Sequence, residues 1–505
     1  MDTEVLVVGA GPTGLTAANE LLLAGVATVV VDRLPERSPL SRAGGVQTRT
    51  LEALDQRGLL EPLLASGDHP AGTGHFAGIP APTGFSAHAR QPWRAVPQAV
   101  LEGFLEEHLA SRGLVVRRGH ELVGLAQDAD AVTATFADGR TVRARYLVAA
   151  DGGHSTVRSL LKAAFPGRAG TATAVAADVR LSGADLPAPH TRGADGHWAA
   201  VFPLGTDGLG RPLRRLALGG PGRSLPRDVP VTEEEVREGL RAVFGDAVGL
   251  LELCYARRIT NAARQVARYR HRRVLLAGDA AHVHLPFGAQ GMNTGMQDAF
   301  NLGWKLAATV RGRAPRHLLD TYHTERHLAG AAVLRDVQAQ SLLMDWTGSG
   351  DPDVAATREL FAALAELPSV QRFLGDRLAG TATRYPMPDA GSHPLLGLPV
   401  PDADLGPARL YELLRTGRGL LLDPDGTLAG AAAPWRDRVD VVERAAGAEP
   451  LLVRPDGYAC WVAGSPESLR RSLAHWFGAP GAGVGAGTGA DLGAGVRADR
   501  ASAAG

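Results

Sequence analysis

Residues 4–33 read EVLVVGAGPTGLTAANELLLAGVATVVVDR, and this stretch decides the fold. An apolar run leads into a group of glycines, a segment with apolar residues at helical spacing continues to Gly25, and a second apolar run covers residues 27–31. This order predicts a strand, a tight turn, a helix and another strand. The stretch is therefore interpreted as a βαβ unit.

The turn of this unit carries the pattern GxGxxG. Gly9 permits the tight turn, Gly11 lets the backbone approach a pyrophosphate, and Gly14 lets helix and strand pack closely. The helix N-terminus supplies unpaired N–H groups for phosphates, and Asp32 ends the second strand, where its carboxylate can accept hydrogen bonds from ribose hydroxyls. The residues predicted to bind a dinucleotide here are Gly9, Gly11, Pro12, Thr13, Gly14 and Asp32.

A second glycine-rich region indicates which dinucleotide is bound. The apolar run 273–277 predicts a buried strand that ends before Asp279, and the glycine-rich start of a long helix follows. Asp279 can bind the second ribose of a long dinucleotide, and a helix N-terminus stabilises the charge at the N1–C2=O edge of a reduced flavin. Together with the first motif, this region predicts FAD as the ligand. Its further binding residues are Gly288, Gly291, Met292 and Asn293.

A third motif follows another apolar strand and begins at Asp151. Gly152 and Gly153 allow a close approach of the backbone, and Arg158 can pair with a phosphate. Taken alone, the same residues are equally compatible with a strand-to-helix turn capped by Ser155. Asp151 and Arg158 are included among the predicted cofactor-binding residues.

With these three motifs in chain order, the sequence resembles the class A flavin aromatic hydroxylases, which share the para-hydroxybenzoate hydroxylase fold. The family signatures are the N-terminal GxGxxG, the central DG at Asp151 and the late GD at Asp279. Several further stretches resemble the aromatic polyketide hydroxylases of angucycline and anthracycline biosynthesis, namely 41–58, 96–98, 278–305, 322–327 and 392–397. The likeness extends over nearly the whole chain, to about residue 478.

The resemblance implies roles for particular residues. Asp32 lies where the family usually has Glu on the adenosine ribose, so its contact is expected to be longer or bridged by water. Arg33, Arg42 and Gln98 match positions around the FAD phosphates and ribityl chain. Pro286 matches the proline beside the flavin face at which oxygen reacts, and Arg42 and Pro286 are the expected catalytic residues. The DG motif is expected to serve NAD(P)H as well as FAD.

The activity implied by the resemblance is hydroxylation of a polycyclic phenolic polyketide through a flavin C4a-hydroperoxide. FAD is the expected cofactor and O2 and NAD(P)H are the expected co-substrates, with NADPH favoured over NADH. Two alternatives stay open: Baeyer–Villiger oxygenation of a polyketide ring on the same scaffold, and a non-catalytic flavin-binding protein. An aromatic side chain at a sheet position is more often part of the core than of a pocket. With that reservation, the expected substrate residues are His75, Phe76, Trp93, Trp198, Phe202 and Gln290.

The expected fold is α/β, with a Rossmann-like FAD-binding domain, an inserted antiparallel-sheet substrate domain and a C-terminal thioredoxin-like domain. The expected bounds are 1–170 and 270–388 for the FAD-binding domain (with 70–97 contributing to the substrate pocket), 171–269 for the middle domain and 389–478 for the C-terminal domain. Because the C-terminal region lacks a CxxC motif, it is expected to be structural. Residues 479–505 are rich in Gly and Ala without periodicity and are expected to be disordered.

Composition restricts the partners. The 505 residues contain 53 Lys+Arg and 53 Asp+Glu, so no net charge attracts nucleic acid or an anionic membrane. Cys254 and Cys460 form no CxxC, and the pair His282 and His284 has no third ligand at a suitable spacing, so no metal is expected. No signal peptide and no apolar stretch of ~18 residues is visible. We therefore expect a cytoplasmic monomer or homodimer whose partner is a small aromatic polyketide.

Overall fold

The protein is described by a computed structural model that covers residues 1–71, 74–80, 92–183, 190–193, 195–206, 210–388, 393–406, 408–443 and 449–480. The tail for which disorder is expected lies outside the described residues from residue 481 onward. In the part of the chain that is described, the strands form five sheets. No helix in that part is both long enough and apolar enough to cross a membrane.

The elements are numbered in chain order. The strands are β1 (Thr3–Val8), β2 (Thr28–Val31), β3 (His75–Phe76), β4 (Ile79–Pro80), β5 (Leu122–Gln127), β6 (Val132–Phe136), β7 (Thr141–Ala149), β8 (Gly167–Arg168), β9 (Thr173–Ser182), β10 (His190–Arg192), β11 (Trp198–Thr206), β12 (Pro212–Gly219), β13 (Gly249–Thr260), β14 (Ala263–Gln265), β15 (Arg270–His271), β16 (Val274–Leu276), β17 (His282–Val283), β18 (Gly419–Asp423), β19 (Val439–Glu443), β20 (Leu451–Val453) and β21 (Ala459–Val462). The helices are α1 (Pro12–Leu23), α2 (Thr48–Asp55), α3 (Leu60–Ala65), α4 (Gln98–Ser111), α5 (Thr156–Leu160), α6 (Glu233–Phe244), α7 (Gln290–Val310), α8 (Thr321–Leu343), α9 (Pro352–Ala365), α10 (Pro368–Ala379), α11 (Leu410–Leu413), α12 (Ala429–Ala432) and α13 (Pro466–Phe477).

A seven-stranded sheet positions the predicted motifs. The strand order is β15-β16-β7-β1-β2, and β6 pairs with both β7 and β5. The strands β16, β7, β1 and β2 run parallel to one another. Because the carboxyl ends of parallel strands meet at one edge, the GxGxxG turn after β1, Asp32 after β2, the DG motif after β7 and the GD motif after β16 all lie at that edge. The predicted βαβ unit of β1, α1 and β2 is confirmed.

Helices α1 and α7 pack unusually closely on this sheet. A Cβ atom on Gly295 would lie 2.3 Å from Thr13 Oγ1, and one on Gly303 would lie 2.3 Å from the Glu20 Cβ. These two glycines of α7 therefore face α1 and let the two backbones approach. Both helices consequently begin beside the same edge of the sheet.

The middle of the chain forms a five-stranded antiparallel sheet with the order β10-β11-β12-β9-β13. One face packs on α6, and Val236 and Leu240 of α6 belong to the same buried cluster as Val175 and Val179. The opposite face, which includes Ala176, belongs to a second core cluster shared with β3, β4 and the helices α8 to α10. Phe202, Arg215, Asp178 and Tyr255 are cross-strand neighbours that lie in one row on this second face.

The C-terminal region forms a four-stranded sheet with the order β19-β18-β20-β21, packed with α11 to α13. Between this region and α7 and α8 lies a buried ionic cluster of Lys305, Glu325, Arg454 and Asp456, none of which is more than 3% exposed. Glu325 binds Lys305 Nζ at 2.7 Å and accepts two hydrogen bonds from Arg454 at 2.7 and 2.9 Å. The cluster therefore joins the C-terminal region to the helix that begins at the candidate site.

Candidate active site

The glycine turn between β1 and α1 leaves room for a ligand at one position. A Cβ on Gly9, whose φ is +102°, would lie 2.3 Å from the Ala150 carbonyl oxygen, and one on Gly14 would lie 1.9 Å from the Gly9 carbonyl oxygen. A Cβ on Gly11 would meet only Glu102 Oε1, at 3.9 Å. The Gly11 backbone and the adjacent first turn of α1 therefore face open space suited to a phosphate.

Asp32 is half-buried at the end of β2, beside this turn. Its Oδ2 accepts a hydrogen bond from the Ala10 N–H at 2.7 Å, and its Oδ1 accepts one from the Leu34 N–H at 2.9 Å. A carboxylate offers about four acceptor positions, so ribose hydroxyls can bind as well. Asp32 thus fixes the turn and keeps acceptor capacity, and the Arg33 side chain next to it is exposed.

The backbone around Arg42 is held from two sides, while the Arg42 side chain is exposed. Gln98 Oε1, at the start of α4, accepts hydrogen bonds from the N–H groups of Arg42 and Ala43, both at 3.2 Å. From β12, Arg215 donates to the Arg42 carbonyl at 3.3 Å and forms an ion pair with Asp178 at 2.5 Å. Sequence reasoning identified Gln98 but missed Arg215 and Asp178. A single charged residue in a strand of alternating polar and apolar residues matches no motif.

The turn after β16 presents one carboxylate. Asp279 is exposed, whereas Gly278 and Ala280 on either side are buried. Gly278 adopts a φ of +60°, where a Cβ would lie 2.6 Å from Thr13 Oγ1, and its N–H donates to Asp298 Oδ2 at 3.0 Å. Thr13 of the first motif therefore packs against the turn of the last motif, and Asp279 lies exposed on that turn.

A buried charge network supports this turn from α7 and α8. Asp298 binds His282 Nε2 at 2.8 Å and Arg326 Nε at 2.6 Å. Although burial raises it, the pKa of Asp298 lies below its ordinary value because Arg326 and His282 stabilise the carboxylate. His282 is therefore engaged with Asp298, and within the described ranges no group of three His, Cys, Asp or Glu side chains is arranged to hold a metal ion.

The start of α7 is an exposed proline followed by a left-handed turn. Pro286 is exposed between two buried neighbours. Gly288 and Ala289 follow with φ values of +64° and +54°, and a positive φ is uncommon for a residue with a side chain. Gly291 and Met292, in the first turn of α7, are half-buried. This turn therefore sets the direction in which the N–H groups at the start of α7 point.

Asn293 holds the same turn in place. Its side chain is fully buried, with Nδ2 donating to the carbonyls of Gly45 at 3.0 Å and Ala289 at 2.8 Å. Its Oδ1 accepts a hydrogen bond from the Gln47 N–H at 2.9 Å, and Gln47 Nε2 donates to the Gly288 carbonyl at 2.7 Å. The Asn293 side chain thus binds protein backbone, which ties the segment after Arg42 to the start of α7.

The DG motif is tied to the GD motif in a similar way. Asp151 accepts a hydrogen bond from Ser155 Oγ at 2.5 Å, and burial raises the pKa of Asp151. Ser155 Oγ in turn caps α5 by accepting the Arg158 N–H at 2.9 Å, which is the capped turn considered as the alternative for this motif. The Arg158 guanidinium donates to the carbonyls of Gly153 at 2.7 Å and Ala280 at 3.1 Å, so it links the two turns.

Four of the predicted substrate residues lie around β3 and β11. The rings of His75 and Phe202 stack with centroids 5.8 Å apart, and burial lowers the pKa of His75 to about 4, so this imidazole is neutral at pH 7. Phe76 and Trp198 lie in the core at 5% and 3% exposure. The Trp198 indole N–H donates to the Trp346 carbonyl at 3.1 Å, as in the core role considered for sheet aromatics.

The other two predicted substrate residues lie nearer the start of α7. The Trp93 indole covers Gly45, where a Cβ would fall 2.1 Å from Trp93 Cζ2. Gln290 is 2% exposed and lines a small cavity of about 30 Å³ together with Gln47 and Thr294. The structure therefore places Trp93 on the segment that Asn293 holds, and Gln290 within a polar cavity along α7.

These features together fit a flavin dinucleotide. Gly11 and the first turn of α1 offer open space for a pyrophosphate, and the carboxylates of Asp32 and Asp279 can accept hydrogen bonds from the hydroxyls of two sugar chains. Pro286 and the first turn of α7 offer an exposed surface and a helix N-terminus for a ring system. The glycine turn, Asp32 and Asp279 follow the carboxyl ends of the parallel strands, where α/β sheets bind their ligands.

The chain matches two family models. Residues 2–337 match the family described as FAD binding domain, and residues 393–480 match the family described as aromatic-ring hydroxylase, C-terminal. The chain belongs to the FAD-binding aromatic-ring hydroxylases. This confirms the class A resemblance, the FAD cofactor and a mixed α/β fold with these two domains. NAD(P)H and O2 are the typical co-substrates of these enzymes.

Individual relatives are similar over almost their whole length. The chain is 43% identical over 514 residues to the 12-dehydrotetracycline 5-monooxygenase/anhydrotetracycline 6-monooxygenase of Streptomyces rimosus subsp. rimosus, covering 95% of this chain and 100% of that protein. CabE, an aromatic hydroxylase from angucycline biosynthesis, superposes with a TM-score of 0.86 at 38% identity, covering 95% and 100%. The Diels-Alderase PyrE3 from the pathway of pyrroindomycins superposes with a TM-score of 0.82 at 34% identity, again covering 95% and 100%. Aromatic hydroxylases and a Diels-Alderase thus share this fold.

Proposed function

We propose that this protein is an FAD-dependent monooxygenase that uses NADPH and O2 to hydroxylate a polycyclic phenolic polyketide. The observation that carries the proposal is the pair Asp279 and Pro286, each exposed between two buried neighbours in the segment that leads into α7. Both side chains are therefore accessible to a bound ligand. The relatives named for tetracycline and angucycline chemistry support a fused-ring phenol as the substrate class.

The residues of this chain bind and orient the cofactor and the substrate. The flavin, when bound, would supply the redox chemistry, which is acceptance of hydride from NAD(P)H and reaction with O2. We propose that Asp32 and Asp279 bind sugar hydroxyls and that Arg33 and Arg42 bind phosphate oxygens. The first turn of α7 would stabilise negative charge on the ring system, and Pro286 would exclude water beside it. Gln98, Asn293 and Arg158 act by holding these loops in place, because their side chains bind backbone groups.

The five-stranded sheet is the proposed substrate platform, within a middle domain at 171–269. His75 and Phe202 form a stacked aromatic pair, and Trp93 lies against Gly45 of the segment that follows Arg42. Because His75 Nδ1 accepts the Gly78 N–H at 3.2 Å, the hydrogen of the neutral ring lies on Nε2. We propose that the C-terminal region, 389–478, is a thioredoxin-like domain with a structural role.

The test is an incubation of the FAD-loaded protein with a panel of tetracyclic phenols, with NADPH or NADH, followed by product mass and NMR. The expected result is NADPH oxidation and a product that gains one oxygen atom as an aromatic C–OH. A product whose added oxygen lies within a new ester would establish the Baeyer–Villiger alternative instead. An isomer of the substrate formed without NADPH oxidation would point to chemistry like that of the Diels-Alderase relative. No product and no NADPH oxidation across the panel would favour a non-catalytic flavin protein.

The Gln98 side chain is expected to contribute to FAD affinity through the loop it holds. Gln98→Leu removes the acceptor for the N–H groups of Arg42 and Ala43, and an intramolecular hydrogen bond of this kind contributes about 0.5–1.5 kcal/mol. FAD affinity, measured by flavin fluorescence on titration of the FAD-free protein, is expected to fall about tenfold. Gln338→Leu, on the exposed face of α8, is the matched control. Equal affinities for the two variants would contradict the role of Gln98.

A further inference from the structure

Two histidines face each other where the C-terminal region meets the FAD-binding half. His317 lies in the connector between α7 and α8, directly before a short 3₁₀ helix, and His475 lies in the last turn of α13. Their Nε2 atoms are 3.2 Å apart, and their ring centroids are 4.2 Å apart. Because the two residues are 158 positions apart in the chain, no sequence motif predicts the pair.

The two imidazoles lie side by side rather than in line. In a linear N–H···N hydrogen bond the ring centres would be about 2 Å further apart than the nitrogens, because each ring lies behind its own nitrogen. Here the centroid separation of 4.2 Å exceeds the nitrogen separation of 3.2 Å by only 1.0 Å. The two nitrogens are therefore close without a linear hydrogen bond between them, which leaves lone-pair capacity for a third partner.

The separation of the two nitrogens fits two ligands of one metal ion. With metal–nitrogen bonds of about 2.0–2.1 Å, two nitrogens on a tetrahedral ion lie about 3.3–3.4 Å apart. Adjacent nitrogens on a square-planar or octahedral ion lie about 2.9 Å apart at the same bond length. The observed 3.2 Å lies between these values. Binding of an ion therefore requires a reorientation of the two rings and little movement of the backbone.

The backbone beneath both histidines is fixed by the core. Leu318 and Trp476, which directly follow the two histidines, belong to one buried cluster and are 0% and 2% exposed. A Cβ on Gly478 would lie 2.2 Å from the Arg313 carbonyl oxygen, so the end of α13 packs directly against the connector. The first imidazole is exposed and the second is half-buried. A rigid backbone thus presents the pair at the surface, where an ion can reach it.

The place of the pair on α13 favours a cation. The last turn of a helix carries partial negative charge on its unpaired carbonyl groups, which stabilises a positive charge beside it. We propose that His317 and His475 together bind one divalent transition-metal ion of the class that imidazole prefers, namely Cu2+, Ni2+ or Zn2+. Over the described ranges no three ligand side chains are grouped around one point, so water completes the coordination. The bound ion fastens the C-terminal region to the connector between α7 and α8.

The test titrates the FAD-loaded protein, without a histidine tag and freed of metal by EDTA, with CuCl2, NiCl2, ZnCl2 or MgCl2 in a calorimeter. Cu2+ is expected to bind most tightly and Mg2+, which prefers oxygen ligands, not at all. His317→Gln and His475→Gln are each expected to weaken Cu2+ binding at least about tenfold, because a lost ligand costs at least as much as a lost partner of a ligand. His108→Gln is the matched control, since His108 is likewise half-buried in the last turn of a helix.

Electron paramagnetic resonance of the Cu2+ complex counts the bound nitrogens without any substitution. Two imidazole nitrogens are expected in the unaltered protein. The ion is also expected to raise the melting temperature of the unaltered protein but not of the two variants, because it binds the folded chain. Equal Cu2+ affinity of the unaltered protein and both variants, or a single imidazole nitrogen in the unaltered protein, would overturn the proposal. None of these measurements needs turnover, so their outcome is independent of the proposed function.

Discussion

Replacing Arg454 by methionine is expected to lower the free energy of unfolding by about 3–5 kcal/mol, the usual effect of removing one partner of a buried ion pair. Arg454 is fully buried and makes two hydrogen bonds to Glu325 and two to Asp456, the latter at 3.0 and 2.5 Å. Without the guanidinium, two buried carboxylates would share the single ammonium of Lys305. Charge without compensation in a low-dielectric interior is the reason for the large effect.

The measurement is urea unfolding at pH 7, followed by circular dichroism. The pKa of Glu325 lies at about 2 because Arg454 and Lys305 outweigh the effect of burial, whereas its ordinary value is 4.5. The stability contributed by this carboxylate is therefore fully present above pH 4.5 and is lost as the pH falls toward 2, so pH 7 reports the whole effect. Arg471→Met, an exposed position on α13, is expected to stay within about 0.5 kcal/mol. A loss below about 1 kcal/mol for Arg454→Met would contradict the importance of the cluster.

Gly11→Ala is expected to weaken FAD binding at least about a hundredfold, equivalent to about 2.7 kcal/mol, with little change in the stability of the FAD-free protein. The φ of Gly11 is −78°, which alanine adopts without strain, and the new Cβ would meet only one protein atom, at 3.9 Å. The methyl group would instead occupy the space through which a pyrophosphate approaches the backbone. The change therefore affects the ligand and not the fold.

Gly14→Ala provides the contrast, because its Cβ would lie 1.9 Å from the Gly9 carbonyl oxygen. This second variant is expected to lower the melting temperature of the FAD-free protein, whereas Gly11→Ala is expected to leave it within a few degrees. FAD affinity is measured by flavin fluorescence and stability by calorimetry. Retention of tight FAD binding by Gly11→Ala would show that the pyrophosphate does not approach this turn.

The local parts of the fold could be predicted from the sequence, and the long-range parts could not. The period of the apolar residues and the glycines predicted β1, α1 and β2 because each depends on neighbours a few residues away. The same spacing predicts one helix over 48–60, but the structure has α2 ending at Asp55 and α3 beginning at Leu60, since Gly58 adopts a φ of +69°. The ion pair of Arg454 and Glu325 joins residues 129 positions apart, and no local sequence pattern predicts such a contact.

The site shows the same division. Motifs predicted where the backbone turns, so Gly9, Gly11 and Asp279 lie as expected at the edge of the sheet. They did not predict where polar side chains find their partners. Gln98 Oε1 accepts two backbone N–H groups, and the Asn293 amide binds the backbone of neighbouring loops. That these two residues also contact the cofactor stays a prediction. A sequence motif specifies residue types at a turn, whereas hydrogen-bond partners depend on segments that only the folded chain brings together.

The buried ionic cluster also sets a rule for recombining this chain with its relatives. Lys305 and Glu325 come from α7 and α8, and Arg454 and Asp456 come from the C-terminal region. A chimera joined in the connector between α10 and α11 would inherit one half of the cluster from each parent. If either parent lacks its half, the hybrid would contain unmatched charges at the seam even though both apolar cores were intact. The four residues should therefore come from the same parent. Chimeras that keep them together are the ones expected to fold.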